Sequence, residues 1–158
     1  LDLRKAKMFT INCDQTSLLD KLDHFVTKQI SVTDTTIIKV KPNLVTIGPY
    51  RVVTHGPEFK VKKGNTVVCE FFKRSWAAGY AICLIKSNNT IAEKIVNTNK
   101  KYKKLYEDKS FYKYHIRRNI KNQNFDRVVM FENRLSRTSN DIFALENSIV
   151  QDLKSLSI

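Results

Sequence analysis

Cysteine is scarce in this chain of 158 residues: Cys13, Cys69 and Cys83 are odd in number, and none lies close to another. That spacing excludes a disulfide framework and a four-ligand zinc site. Cys69 and Cys83 fall in apolar runs and are expected as buried thiols in a reducing compartment. Glycine is also rare, with four isolated residues, so no glycine-rich phosphate loop is encoded. There is no nucleophile elbow and no CxxC pair. The longest apolar run, 76–85, is about half of the roughly 20 residues that a membrane-spanning helix needs. Residues 1–7 are charged, with no apolar signal segment behind them. The expectation is therefore no membrane association and no secretion. A cytoplasmic or other intracellular location is expected, the interior of a virion included.

Acidic residues are the other deficit. The chain has 15 Asp and Glu against 28 Lys and Arg, a formal net charge of +13, and a pI near 9.8. So basic a domain carries the electrostatic footprint of a nucleic-acid partner; the plain alternative is a cationic surface that only keeps the chain soluble. Lys, Asn and Ile are all frequent, as in proteins from the AT-rich genomes of many phages, endosymbionts and protists. That bias raises the lysine count without explaining where the lysines sit. Apolar residues at 42% and charged residues at 27% are ordinary globular values. One domain over 1–158 is expected, mostly β with two helices over 1–86 and helical over 87–158.

The cations are bunched. Between Lys94 and Arg127 there are eleven basic residues against Glu107, Asp108 and Asp126, a local net of +8. Tyr102, Tyr106, Phe111, Tyr112 and Tyr114 are threaded among them. Phosphates attract the charges and exposed bases can stack on rings, so this alternation suits a polyanion. From 138 onward the sign reverses, with Asp141, Glu146 and Asp152 against Lys154. The last helix is therefore expected to have a different task.

The predicted fold class is α+β. A strand over 8–12 and a helix over 17–29, capped by Ser17 with Asp20 in its first turn, form an N-terminal βα unit. From 35 to 72 the period changes to two, with short β-rich runs at 37–40, 44–47, 50–54, 59–61 and 67–72. Each divider contains Pro or Gly, and connections this short permit only antiparallel pairing. A meander of three to five strands is expected. Ser75 is read as the cap of an apolar helix over 76–85, hydrophobic all round and so the buried centre under the sheet. Gly79 among Ala77, Ala78 and Ala81 permits a close approach there. A second capping box at Thr90 to Glu93 starts a helix to about 107, Ser110 starts another to about 120, and Asn124 caps a long last one.

That last segment has the clearest period in the chain. Val128, Leu135, Ile142, Ile149 and Leu156 fall seven apart, with Phe131 and Leu145 between them and Thr138 and Asp152 as polar interruptions. Ser139-Asn140-Asp141 could break it in two. This coiled-coil seam, with Val128, Leu135, Ile142, Leu145, Ile149 and Leu156 as association residues, has three readings: packing inside the domain, pairing with a second copy, or docking on another protein.

The expected contact residues for nucleic acid are Lys94, Lys100, Lys101, Lys103, Lys104, Lys113, Arg117, Arg118, Lys121, Tyr112 and Tyr114. Tyr102 and Tyr106 are expected in the core. A second patch, Arg51, Lys60, Lys62, Lys63 and Lys73, lies on the meander or its turns; a small sheet backed by a helix is a form some DNA-binding modules lay in the major groove. RNA fits the same residues, because rings suit single strands and loops. Contacts are expected to be mostly to phosphate, independent of sequence and helped by stacking. The rival expectation is a structural subunit of a phage particle or ribonucleoprotein, where the same surface meets protein. A third reading is a metal-dependent nuclease built on Asp34 with Glu58-Phe59-Lys60, although exposed sheet charges account equally for those residues. His24, His55 and His115 lie in separate segments. No catalytic residue, metal or cofactor is assigned.

Overall fold

The computed structural model describes the backbone of residues 10–11, 28–31 and 37–41 as strands, and residues 43–156 in full. The strands are β1 (Thr10–Ile11), β2 (Lys28–Ser31), β3 (Ile37–Lys41), β4 (Leu44–Ile47), β5 (Tyr50–His55), β6 (Glu58–Lys63) and β7 (Thr66–Phe71). Four helices follow: α1 (Arg74–Lys86), α2 (Asn89–Lys121), α3 (Phe125–Ser148) and α4 (Val150–Ser155). The fold is α+β with a helical C-terminal half. Most of the helix predicted over 17–29, with its Ser17 cap, lies outside the described residues, as do Cys13, His24 and Asp34. The exception corrects its end: Lys28 and Gln29 are the first residues of a strand.

All seven strands form one sheet in sequence order. From β2 to β7 every pairing is antiparallel, as the Pro and Gly dividers between β3 and β7 required, while β1 lies parallel to β2. Gly48, Gly56 and Gly64 all have positive φ, which side-chain-free residues adopt without a steric penalty. The register Val45–Val52–Val61 puts one apolar row on one face, and these residues, with Ile47 and Phe71, are buried. One irregularity interrupts β7, where Val61 pairs with Cys69 and Lys62 with Val67, leaving Val68 as an extra residue in a bulge.

Contacts divide the chain into two compact units, Leu1–Val96 with Val150–Ile158, and Asn97–Ile149. In the first, α1 packs on β4 to β7. Trp76, Ala77, Ala78, Ala81, Ile82 and Cys83 are all buried. Its opposite side meets the start of α2 and α4. A Cβ added to Gly79 would come 2.7 Å from Leu153 Cδ2 and 3.4 Å from Ile95 Cδ1, so this glycine does serve a close approach. Phe71 and Tyr80 rings pack 5.1 Å apart, and Lys86 donates from Nζ to the Leu156 carbonyl at 2.6 Å.

Burial pushes the Cys83 thiol up from 9.0 to about 11, against a smaller opposing pull from Lys86. Burial raises the Tyr80 hydroxyl as well, followed by smaller contributions from Cys69, Tyr50 and Cys83. Both shifts have one sign: the folded chain holds its proton more tightly than the unfolded chain. The stabilising contribution of Cys83 is complete below pH about 9 and is lost as pH rises through about 11. Guanidinium midpoints measured across that window should fall, and fall less steeply in Cys83→Ala.

Several helix ends differ from expectation. Ser75 is buried inside α1; the cap position is Lys73, which makes no side-chain capping hydrogen bond. The cap of α2 is Asn88, whose Oδ1 accepts from Ile91 N at 3.2 Å, two residues before the Thr90 box. No break occurs near 108–110: α2 is one helix of 33 residues. Nor does α3 break at Ser139-Asn140-Asp141; it runs 24 residues, and the chain leaves helical geometry at Ile149 before α4. Between Gly79 and the end there is no Gly or Pro, so nothing in the backbone forces an earlier stop.

The α1–α2 and α2–α3 turns use one device. Ser87 and Gln123 adopt left-handed φ of 56° and 58°. The next amide in each case reaches back to a carbonyl five residues earlier, Asn88 N to Cys83 O and Asn124 N to Asn119 O, both at 2.9 Å. This closes the preceding helix as a Schellman turn. The same asparagine then caps the following helix, Asn124 Oδ1 accepting from Arg127 N as predicted. Gln123→Gly should stabilise the second unit by up to about 1 kcal/mol, because glycine tolerates that φ. Asn124→Ala should destabilise it by about 1 kcal/mol. Urea titrations followed by circular dichroism check both.

Candidate functional site

The second unit contains residues 97–121 of α2, the Asn122-Gln123-Asn124 turn and α3. Along α2, Thr98, Tyr102, Leu105, Lys109, Tyr112, Ile116 and Asn119 alternate steps of four and three, a heptad seam. All are buried or half-buried. It faces the predicted seam of α3, where Val128, Phe131, Thr138 and Ile142 are buried and Leu135 and Leu145 half-buried. Phe131 is the hub: His115 stacks on it at 5.1 Å, Tyr112 lies at 6.2 Å and Phe111 meets it edge-on at 6.4 Å. Buried Asn119 satisfies its amide on the His115 carbonyl at 2.7 Å. Of the three readings of this seam, packing within the chain is the arrangement seen. Leu156 departs from the prediction: it lies in the first unit, near Gly79, because the helix stops before reaching it.

With the seam turned inward, helical geometry sets the opposite arc. Lys100, Lys103, Lys104, Arg117, Arg118 and Lys121 occupy it, together with Phe111, Tyr114 and one acid, Glu107. All these side chains are exposed. Lys101 and Lys113 are exposed on its two flanks. Among the described residues, none of these eight cations is ion-paired with a carboxylate. Lys101 and Lys104 do share a cleft of about 620 Å³ with Asp108, Asp141 and Leu145, which dilutes the positive field there. At the other end the field is undiluted. Tyr114, Arg117, Arg118, Lys121 and Asn122 line a cleft of about 440 Å³ with no acid in its wall.

Three sequence expectations need adjustment. Lys94 belongs to the first unit, where its Nζ is 3.4 Å from Asp152 Oδ1. Tyr112 is half-buried on the seam against Phe131, because it falls a multiple of seven from Leu105 and Thr98. Tyr106, expected in the core with Tyr102, stacks on Tyr102 but stays 38% exposed. Phe111 was missed. It is 53% exposed beside Tyr114 at 51%, and the seam spacing read across 98–119 would have placed it outside.

The second patch divides by strand register. Arg51 and Lys62 are directly paired and Lys60 is two residues along, on the face away from α1. Arg51 donates to the Gly64 carbonyl at 2.5 Å, and Lys60 pairs with Glu70 at 3.8 Å. Lys63 faces the other way, 6.0 Å from the Tyr50 ring, and Lys73 precedes α1. The sheet therefore concentrates less unpaired charge than α2. Lys60 of the nuclease pattern is engaged by Glu70, and His55 ends β5 in solvent. Among the described residues no group of three His, Cys, Asp or Glu side chains could hold a metal ion. Among the same residues no helix is long and apolar enough to cross a membrane. Comparison of the chain with protein-family models, with curated proteins and with solved structures gives no match.

Proposed function

We propose that the protein binds nucleic acid without performing chemistry on it, holding the phosphate backbone of DNA or RNA on the outward arc of α2, largely independently of sequence. One observation carries this: Lys100, Lys103, Lys104, Arg117, Arg118 and Lys121 share one exposed arc, with no carboxylate partner among the described residues. From Lys100 to Lys121 the arc runs about 32 Å at about 1.5 Å per residue. That is long enough to follow several phosphates, spaced about 3.4 Å along a B-form strand. A rigid helix holds these cations in place before the partner arrives, so little ordering is needed on binding.

Affinity for a labelled oligonucleotide, measured across salt concentrations, tests the reading. Six neutralised phosphates give a slope of log affinity on log salt of about −4 for single strands. A slope near zero, or no binding at low salt, overturns it. A second reading, a structural subunit of a larger assembly, is favoured by α3, which exposes Val129, Met130 and Phe143 among its charged side chains. Light scattering of the isolated chain, with and without oligonucleotide, separates self-assembly from simple complex formation.

A further inference from the structure

We infer that the cleft of Tyr114, Arg117, Arg118, Lys121 and Asn122 seats one unpaired nucleotide, so that the protein favours single strands over duplex. This rests on the reading of α2 as a phosphate-binding face and adds a substrate class to it. A site for phosphate alone requires only cations. This cleft combines three cations with a ring and an amide, in about 440 Å³, a volume within the range of sites that enclose small ligands. The ring offers a surface on which any base can stack. The Asn122 amide offers a donor and an acceptor to a base edge, and the two guanidinium groups and Lys121 suit the flanking phosphates.

The rings are also braced. His115 meets Tyr114 edge-on at 5.2 Å and lies 4.2 Å from Phe111, while its own ring stacks on Phe131. One imidazole thus backs both exposed rings, and the buried seam backs the imidazole. Phe111 and Tyr114 are three residues apart, one helical turn, and stand between Lys104 and Arg118 along the arc. A duplex keeps its base faces stacked internally and presents only its backbone, so it gains nothing from either ring. An unpaired strand presents phosphates and base faces together.

The test compares a labelled single-stranded oligonucleotide with its duplex at matched length and salt, for the wild-type chain, Tyr114→Ala and Tyr114→Phe. Expected results are tighter binding of the single strand, a loss of about 5- to 100-fold for that strand alone in Tyr114→Ala, and recovery in Tyr114→Phe. Unchanged far-ultraviolet circular dichroism confirms that the exposed substitution leaves the helix folded. Equal or tighter duplex binding, or an equal loss on both ligands, overturns the nucleotide seat while leaving the phosphate-binding face standing. Failure to bind either ligand at low salt overturns both. Displacement of the strand by an equal concentration of nucleoside monophosphate would make the cleft a mononucleotide site and overturn the assignment to a strand.

Discussion

A variant carrying Arg117→Ala, Arg118→Ala and Lys121→Ala together is expected to bind a single-stranded oligonucleotide about 100- to 1,000-fold more weakly than the wild-type chain at about 50 mM salt. Each cation, exposed and partly screened, contributes about 1 kcal/mol to a phosphate contact, which gives that range for three. The salt slope should become less negative by about 2, since three fewer counterions are displaced at about 0.7 each. The three side chains are exposed on the arc opposite the seam, so the fold should be untouched. A control with Arg127→Ala, Arg137→Ala and Lys154→Ala removes the same charge away from that arc. If both variants lose affinity equally, net charge is the cause and α2 has no special part.

Phe131→Ala should destabilise the second unit by about 3–5 kcal/mol. Its ring meets Phe111, Tyr112 and His115 and carries the Arg134 guanidinium at 5.8 Å. Truncation leaves a cavity that two helices on a single seam cannot close. Few side chains share the load, because among α3 residues of the described seam only Val128, Thr138 and Ile142 are equally buried. The expected outcome is loss of part of the helical dichroism at a lower temperature than the rest. Trp76, the only tryptophan, is 3% exposed in the core of the first unit and reports that unit separately. Emission of Trp76 should stay native while the helical signal falls. Coincident transitions would show that the two units unfold as one.

What the residues revealed in advance follows from how local each signal was. The meander from β3 to β7 was legible because each of its turns holds a Pro or Gly in a short connection, and such turns admit one pairing. The apolar run of α1 was legible because hydrophobicity on all sides has only one destination. The α3 seam was legible through its sevenfold spacing. Continuity of α2 was not, since Ser110 resembles a cap when read alone, and a serine tolerated inside a helix looks the same in sequence. That error hid the second seam, and with it the division of the aromatics into inner Tyr112 and outer Phe111. Lys94 was counted with the arc because its partner Asp152 lies 58 residues away, a distance no spacing rule spans. The caps were placed two residues late at Ser75 and Thr90, because Lys73 begins α1 without a side-chain cap and Asn88 takes the Ile91 amide at α2.

The bulge at Val68 also bears on solubility. β7 is the last strand of the sheet order, and Val67 and Val68 are 42% and 41% exposed. A flat outer strand with two exposed valines invites recruitment of strands from neighbouring molecules, the first step of fibril growth. The extra residue throws the ladder out of step midway and deepens the local twist, so an incoming strand finds few consecutive partners. Irregularity at that border thus works against self-templated precipitation of this protein.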